Sequence, residues 1–497
     1  MDIDGDGALD LYVNNGGTNF IYRNDGQGVF TRVTNGPVAV NGFSVSWADM
    51  DNDGHPDFFT TAQNPNPLGY LFRQLSPGVF TRTTVPVGFF YGQSWADYDN
   101  DGFLDLLAGD SSQNVLWHNN GQGVLVAVRN TPINNLGCIA WADFDNDGDQ
   151  DLLVAGHLGN ASRLYRNDGN GVFTPIVNQQ LTQRGTLATE AAWGDYDNDG
   201  LPDFCIPRND SASPPQALPS ALFHNLGNGI FEAVDQAPIT TDTGFSIGYS
   251  WADYDNDGWL DLFVTEYGGL MNRLYHNNGN GTFSRVEFFP DDPGNCAGSM
   301  WADYDGDGFL DLFVAASGPG PIYPNDYLYH NNGNSNAWID IKCVGTRSNR
   351  SAIGAKVRVK ATIQGRTFWQ LRQISSGSGW GGCPLDAHFG LGNATNVESL
   401  RIEWPSGTVQ EFQNVGARQH LTITEPSRLV PAGASADHPQ GLTLEGGRNM
   451  QYDIQASTNL TDWSPLNTIT ITNLDGRTLI SDPSAPSGSR FYRAVLR

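Results

Sequence analysis

Small and aromatic residues alternate through FSVSWA at 43–48. A polar loop follows, and the apolar run DFFTTA leads away from it. The same succession returns throughout the first two thirds of the chain. A third run such as LYHN leads through the turn NNGNG into a fourth, TFSRV at 282–286. Short runs of period two, separated by Gly and Asn turns, predict four antiparallel strands per unit. No segment has the 3.6-residue apolar period of an amphipathic helix.

The loop between the first two strands of each unit is the most regular element. It reads DIDGDGALD, DMDNDGHPD, DYDNDGFLD, DFDNDGDQD, DYDNDGLPD, DYDNDGWLD and DYDGDGFLD, at intervals of 46 to 58 residues. A period of about 48 residues with four strands describes the blade of a β-propeller. Seven units are enough to close a ring. A linear solenoid or β-helix is the rival, but its repeats are shorter and carry about one strand per rung. The expected fold class is all-β: a seven-bladed β-propeller with two small C-terminal β modules. A tryptophan two residues before the loop (Trp47, Trp95, Trp141, Trp193, Trp251, Trp301) is expected to pack between neighbouring blades. Sugar stacking would not need six copies.

Aspartates occupy loop positions one, three, five and nine. They are Asp2, Asp4, Asp6 and Asp10 in the first unit and Asp49, Asp51, Asp53 and Asp57 in the second. Asp97, Asp99, Asp101 and Asp105 follow in the third, then Asp143, Asp145, Asp147 and Asp151 in the fourth. The fifth has Asp195, Asp197, Asp199 and Asp203, the sixth Asp253, Asp255, Asp257 and Asp261, and the seventh Asp303, Asp305, Asp307 and Asp311. Two carboxylates about 4 Å apart repel by roughly 4 kcal/mol at an effective dielectric of about 20. A bound cation reverses that cost, and an all-oxygen donor set selects calcium over zinc or copper. Up to seven calcium ions are expected. Glycine at position six permits the sharp turn, and the carbonyl at position seven and a bidentate ninth-position aspartate complete the ligand set. An EF-hand would carry glutamate at position twelve, where Thr60, Ala108 and Val264 stand in three of the loops. A solvated acidic turn is the alternative, and seven copies at fixed spacing weigh against it.

Charge sharpens this picture. The 54 acidic and 27 basic residues give a net charge of −27, which makes nucleic acid and anionic membrane surfaces poor candidate partners. Seven divalent ions would halve that charge. No apolar run of about 20 residues could cross a membrane as a helix. Five cysteines without CxxC spacing argue against zinc. Cys343 and Cys383 could pair, with two unlinked thiols the preferred reading. His118, His224, His276 and His330 share one slot before the NxG turn with Arg23, Arg73 and Arg166, a recurrence that fits a structural role and no catalytic arrangement. Because Met1 opens directly into a loop, a first strand and an export signal are expected upstream.

The repeats resemble the FG-GAP or VCBS repeats of integrin-α-type propellers over 1–337, which implies that the aspartate loops bind calcium. After NNGNSNAW the composition becomes more basic and aliphatic. SNRSAIGAKVRV from Ser348, SGSGW from Ser376, HFGLG from His388 and IEWPSGTVQ from Ile402 resemble the ASPIC/UnbV domain of cartilage-acidic-protein-like proteins. That module is placed at 338–426 as a compact antiparallel β unit, followed by a linker at 427–440 and a small β-sandwich-like module at 441–497. The SGSGWGG loop reads as an ordinary turn, with an anion-holding nest as the alternative.

Together these readings imply no enzyme but an extracellular or cell-surface scaffold for protein or glycan binding or adhesion, its calcium structural. The ligand is expected on the face opposite the calcium loops. There the connections TAQNPNPLG, PRNDSASPPQALPS and SGPGPIYPND vary most, although unselected surface loops would look the same. The alternative is a secreted polysaccharide- or lipid-degrading enzyme built on the same propeller.

Overall fold

The computed structural model describes residues 1–14, 19–33, 40, 42–62, 68–87, 92–109, 113–157, 160–184, 188–208, 217–235, 238–287, 295–316, 326–377, 384–431, 442–473, 476–482 and 490–497. The protein is all-β, and each of the seven repeats forms its own antiparallel sheet. In the sixth, Ser246–Ala252, Asp261–Glu266, Arg273–Asn277 and Phe283–Val286 pair in chain order. Apolar residues fill both sides of the second strand, whose six residues are all buried. It lies mid-sheet with packed layers on both faces, so Leu262, Phe263 and Val264 form an unbroken apolar run.

Two sheets depart from four strands. The first has Leu11–Val13, Phe20–Asn24 and Phe30–Val33, and the seventh has Cys296–Ala302, Asp311–Ala316 and Tyr327–Tyr329. The expected fourth strand of the seventh unit is not among the described residues. Its sequence gives the reason: NNGNSNAW runs straight into Ala337–Val344, the first strand of the next module, instead of returning through a TFSRV-like run. Among the described residues one short helix, Gln179–Arg184, also escaped the periodicity reading. Asn178 caps it by accepting from the Leu181 N–H (2.9 Å), while Leu181 is buried.

Neighbouring sheets are joined by a repeated bond. The Asn that ends the third strand donates through Nδ2 to the carbonyl at loop position two of the preceding unit. Asn119 reaches Met50 (2.7 Å), Asn167 Tyr98 (2.7 Å), Asn225 Phe144 (2.8 Å), Asn277 Tyr196 (2.8 Å) and Asn331 Tyr254 (2.7 Å). Gln74 does the same to Ile3 (2.6 Å), and Asn24 of the first unit reaches Tyr304 of the seventh (2.7 Å). The loop tryptophans add to these contacts. Trp95 is fully buried, and the indoles of Trp193 and Trp251 donate to Ala140 and Ala192 of the preceding sheet (both 3.2 Å).

Asn277→Ala is expected to cost at least about 2 kcal/mol. It strips partners from two buried carbonyls and the Gly279 N–H, at roughly 1–3 kcal/mol per unsatisfied group. Denaturant unfolding checks this, with Asn278→Ala on the exposed side of the same turn expected to cost under about 1 kcal/mol.

The described residues of the C-terminal third form four more sheets. Asp386–Gly392, Ala337–Val344 and His420–Thr424 form one, and Arg366–Gln373, Lys356–Ile363, Asn396–Glu403 and Val409–Gly416 form another. The expectation of a purely antiparallel module needs correcting, because Asp340–Val344 runs parallel to His420–Thr424. A parallel pair requires a long crossover, and the rest of the module supplies it. The expected linker at 427–440 is also corrected at its start. Arg428–Pro431 pairs with Leu442–Glu445, opening a last module of two three-stranded sheets around Leu444, Tyr452, Ile454, Ile471 and Ile480. Residues 432–441 of that stretch lie outside the described residues. So does Cys383, while Cys343 is a buried free thiol.

Candidate metal centres and the module that covers them

The loop is shaped by two left-handed positions. In the third unit these are Asn100 (φ 57°) and Gly102 (φ 91°), and in the first and seventh units Gly5 and Gly306 replace the Asn. Glycine and asparagine adopt this conformation most readily, which accounts for the N/G-D-G core of every copy. The turn then closes on its own carboxylates. Asp97 accepts the N–H of Asp101 (3.0 Å) and of Gly102 (2.9 Å), and Asp101 accepts that of Phe103 (2.9 Å). The ninth residue ties loop to sheet: Asp105 accepts from Tyr98 (3.3 Å) and Asn119 (2.7 Å). Both of its oxygens therefore hold a backbone N–H, and equivalent bonds recur at Asp57, Asp151, Asp203 and Asp261.

The third strand adds a partner that sequence reading left as structural. His118 Nδ1 lies 3.2 Å from Asp105 and 3.5 Å from Asp99. His224, His276 and His330 repeat this against Asp203, Asp261 and Asp311, each at 3.1 Å. One ligand atom each of Asp99, Asp101 and His118 falls within 4.8 Å of the other two, as it does for Asp197, Asp199 and His224 and for Asp255, Asp257 and His276. The signal was present as a recurring His or Arg. Its meaning depends on strand register, which brings a residue 13 positions beyond Asp105 back to the loop.

The donor set fits a hard cation. Among the described residues, Oδ1 of Asp99, Asp145 and Asp255 and both side-chain oxygens of Asp51 are buried without a hydrogen-bond donor, Asp51 facing Arg73 and Arg448 as an ion pair. Burial, reinforced by neighbouring aspartates, holds Asp97, Asp195 and Asp253 well above the ordinary carboxylate range. The same causes push Asp49 up to about 7 and Asp57 to about 9. Burial is also the main cause at Asp105, Asp203 and Asp261, raised to about 7, and at Asp151, raised to about 9.

These shifts fix the sign of a pH dependence. A carboxylate raised in the folded chain contributes stability below its unfolded pKa of about 4, and that contribution is lost as pH rises through the folded value. Metal-free protein is therefore expected to melt at a lower temperature at pH 8.5 than at pH 5.5. Saturating calcium is expected to reduce the fall, because a bound ion favours the ionised form. Thermal melts in metal-free and calcium buffers at the two pH values check both statements.

The FG-GAP-like repeat family matches five stretches, 2–60, 97–154, 143–206, 211–264 and 253–314, together more than half of the chain. The chain belongs to the FG-GAP-like repeat family. A further match, to ASPIC and UnbV, covers 345–430 of this FG-GAP-like repeat protein. Among solved structures, it is similar to the Photorhabdus luminescens Tc holotoxin pore at 13% identity and a TM-score of 0.36 over 88% of this chain, but spans 22% of the toxin chain. It is also similar to the V. cholerae biofilm matrix protein Bap1 at 12% identity and a TM-score of 0.30, over 99% of this chain and 86% of that one. No curated protein matches.

The ASPIC and UnbV domain lies across the aspartate loops. Ser351 Oγ accepts from the Asp49 N–H (2.9 Å), Gly392 N–H donates to Asn256 O (2.8 Å), and Lys356 Nζ is 2.5 Å from Asp143. Arg366 donates to Gly279 O (3.0 Å), and Phe368 stacks on Trp259. The HFGLG motif is explained by this docking. A Cβ on Gly390 would stand 2.1 Å from Asp253 Oδ2 and 2.4 Å from Asn256 Cα, so only glycine fits against the sixth loop. In the SGSGW motif, Ser376 Oγ accepts from the Trp95 N–H (2.8 Å) and meets Ser94 Oγ (2.9 Å), fastening the domain to a first strand. Residues 378–383, which include the remainder of that motif, lie outside the described residues.

Proposed function

We propose that this FG-GAP-like repeat protein is a calcium-stabilised extracellular or cell-surface scaffold that binds a protein or glycan, built as a closed seven-bladed β-propeller at 1–337. The observation that carries the reading is the sevenfold recurrence of one oxygen-lined loop. The Asn24 to Tyr304 bond, which continues the inter-sheet relay from the first unit to the last, supports closure. In a loop that takes calcium the aspartates at positions one, three, five and nine would hold the ion, and the ion would supply charge neutralisation, not reaction chemistry. Sites of this type bind at about 10⁻⁴–10⁻³ M in extracellular modules, which suits millimolar external calcium.

The loop face is covered by the ASPIC and UnbV domain, so a partner would meet the opposite face. The variable connections expected there fall largely at 63–67, 209–216 and 317–325, outside the described residues. The domain is a cap on the propeller and the last module an appendage beyond it. A glycan array and a protein pull-down, each with calcium and with chelator, test the proposal beside a depolymerisation and lipid-hydrolysis assay. Calcium-dependent retention without product is the expected outcome. Release of shortened glycan or free fatty acid would replace the scaffold by an enzyme.

A further inference from the structure

We infer that the seven loops are not equivalent cation sites: the third, fifth, sixth and seventh take divalent ions, while the first, second and fourth are neutralised by side chains of the protein itself. This rests on the calcium reading above and refines it.

Each self-neutralised loop has arginine in the third-strand slot. In the first, Arg23 pairs with Asp4 and, at 3.1 Å, with Asp6. In the second, Arg73 pairs with Asp51, which is 2% exposed, and Arg448 from the last module stands 3.8 Å from the same carboxylate. In the fourth, Arg166 turns outward to Asp168 (2.6 Å), and the cation arrives from the covering domain. Lys356 Nζ lies 2.5 Å from Asp143 Oδ2 and 3.3 Å from Asn146 Oδ1, with the lysine side chain 6% and the aspartate 1% exposed.

The other four loops have histidine in the slot. Among the described residues, no lysine or arginine nitrogen comes within 4 Å of their sixteen aspartates. Imidazole is too short to enter the turn as a guanidinium does. Its Nδ1 approaches the ninth-position carboxylate at 3.1–3.2 Å and stays 3.3–3.6 Å from the third-position one. An N–H donated to a ligand carboxylate orients it, as outer-shell partners of metal ligands do.

Guanidinium keeps its charge at every physiological pH. A tethered cation also competes at an effective concentration of about millimolar or more. A loop whose own affinity is about 10⁻⁴–10⁻³ M cannot readily displace it.

Equilibrium dialysis of the full chain against ⁴⁵Ca²⁺ up to about 5 mM tests the assignment. Four ions per chain is the expected count. None would remove the calcium reading itself, and any other number would overturn the assignment while leaving that reading in place. Arg23 is exposed, so Arg23→His should fold, and it is expected to raise the count by one. An unchanged count in that variant would show that the guanidinium is not what excludes the ion. Asp99→Asn is expected to lower calcium uptake, whereas Asp4→Asn is expected to leave it unchanged. The reverse pattern would overturn the inference.

Discussion

Calcium at about 10 mM is expected to raise the melting temperature of this FG-GAP-like repeat protein by on the order of 10 °C over the chelated chain. A ligand at 10–100 times its dissociation constant stabilises the folded state by about 1.4–2.7 kcal/mol per site. Four sites of the affinity expected here add up to several times that amount. Repeat sheets of this size translate each kcal/mol into roughly 1–3 °C. The physical source is the relief of crowded, buried carboxylates, which burial and mutual repulsion hold well above the ordinary carboxylate range without an ion. Differential scanning calorimetry in calcium, magnesium and chelator checks it. Magnesium is expected to give a much smaller shift, because it dehydrates reluctantly and demands a stricter octahedron.

The second large effect is expected at the contact between the covering domain and the fourth loop. Lys356→Met leaves Asp143 buried beside Asp147 and Asp151 without its ammonium partner. Breaking a buried ion pair from one side costs about 3–5 kcal/mol. Asp143→Asn in the same chain is expected to recover most of that loss, because the pair is then removed as a whole. A double-mutant cycle by denaturant unfolding measures the coupling, and additive single effects would show that the pair does not hold the domain. Calcium is expected to reduce the cost of Lys356→Met alone, since the vacated loop becomes a site.

Much of this architecture is legible in the chain because it is local and repeated. Strand alternation, the Gly and Asn turns and the position-one to position-nine spacing all lie within single units. The left-handed pair Asn100 and Gly102 shows how closely sequence maps onto backbone there. What escaped depends on distance. Lys356 meets Asp143 from 213 residues away, and no periodicity records that pairing. His118 reads as a strand residue until register brings it back to Asp105. Gly390 of HFGLG looks like a turn signal, yet it lies within the strand Asp386–Gly392, where Asp253 and Asn256 leave no room for a Cβ. The parallel pair of Ala337–Val344 with His420–Thr424 was hidden for a related reason, since alternation reports strands but not their direction.

Anomalous diffraction from crystals grown in calcium, recorded at long wavelength, bears most directly on the proposal of a calcium-stabilised propeller. The expected result is a peak enclosed by the carboxylates of Asp97, Asp99 and Asp101, with equivalent peaks in the fifth, sixth and seventh loops arranged around a closed ring of seven sheets. Loops free of anomalous density at millimolar calcium, or sheets that fail to bring the first unit against the seventh, would contradict it.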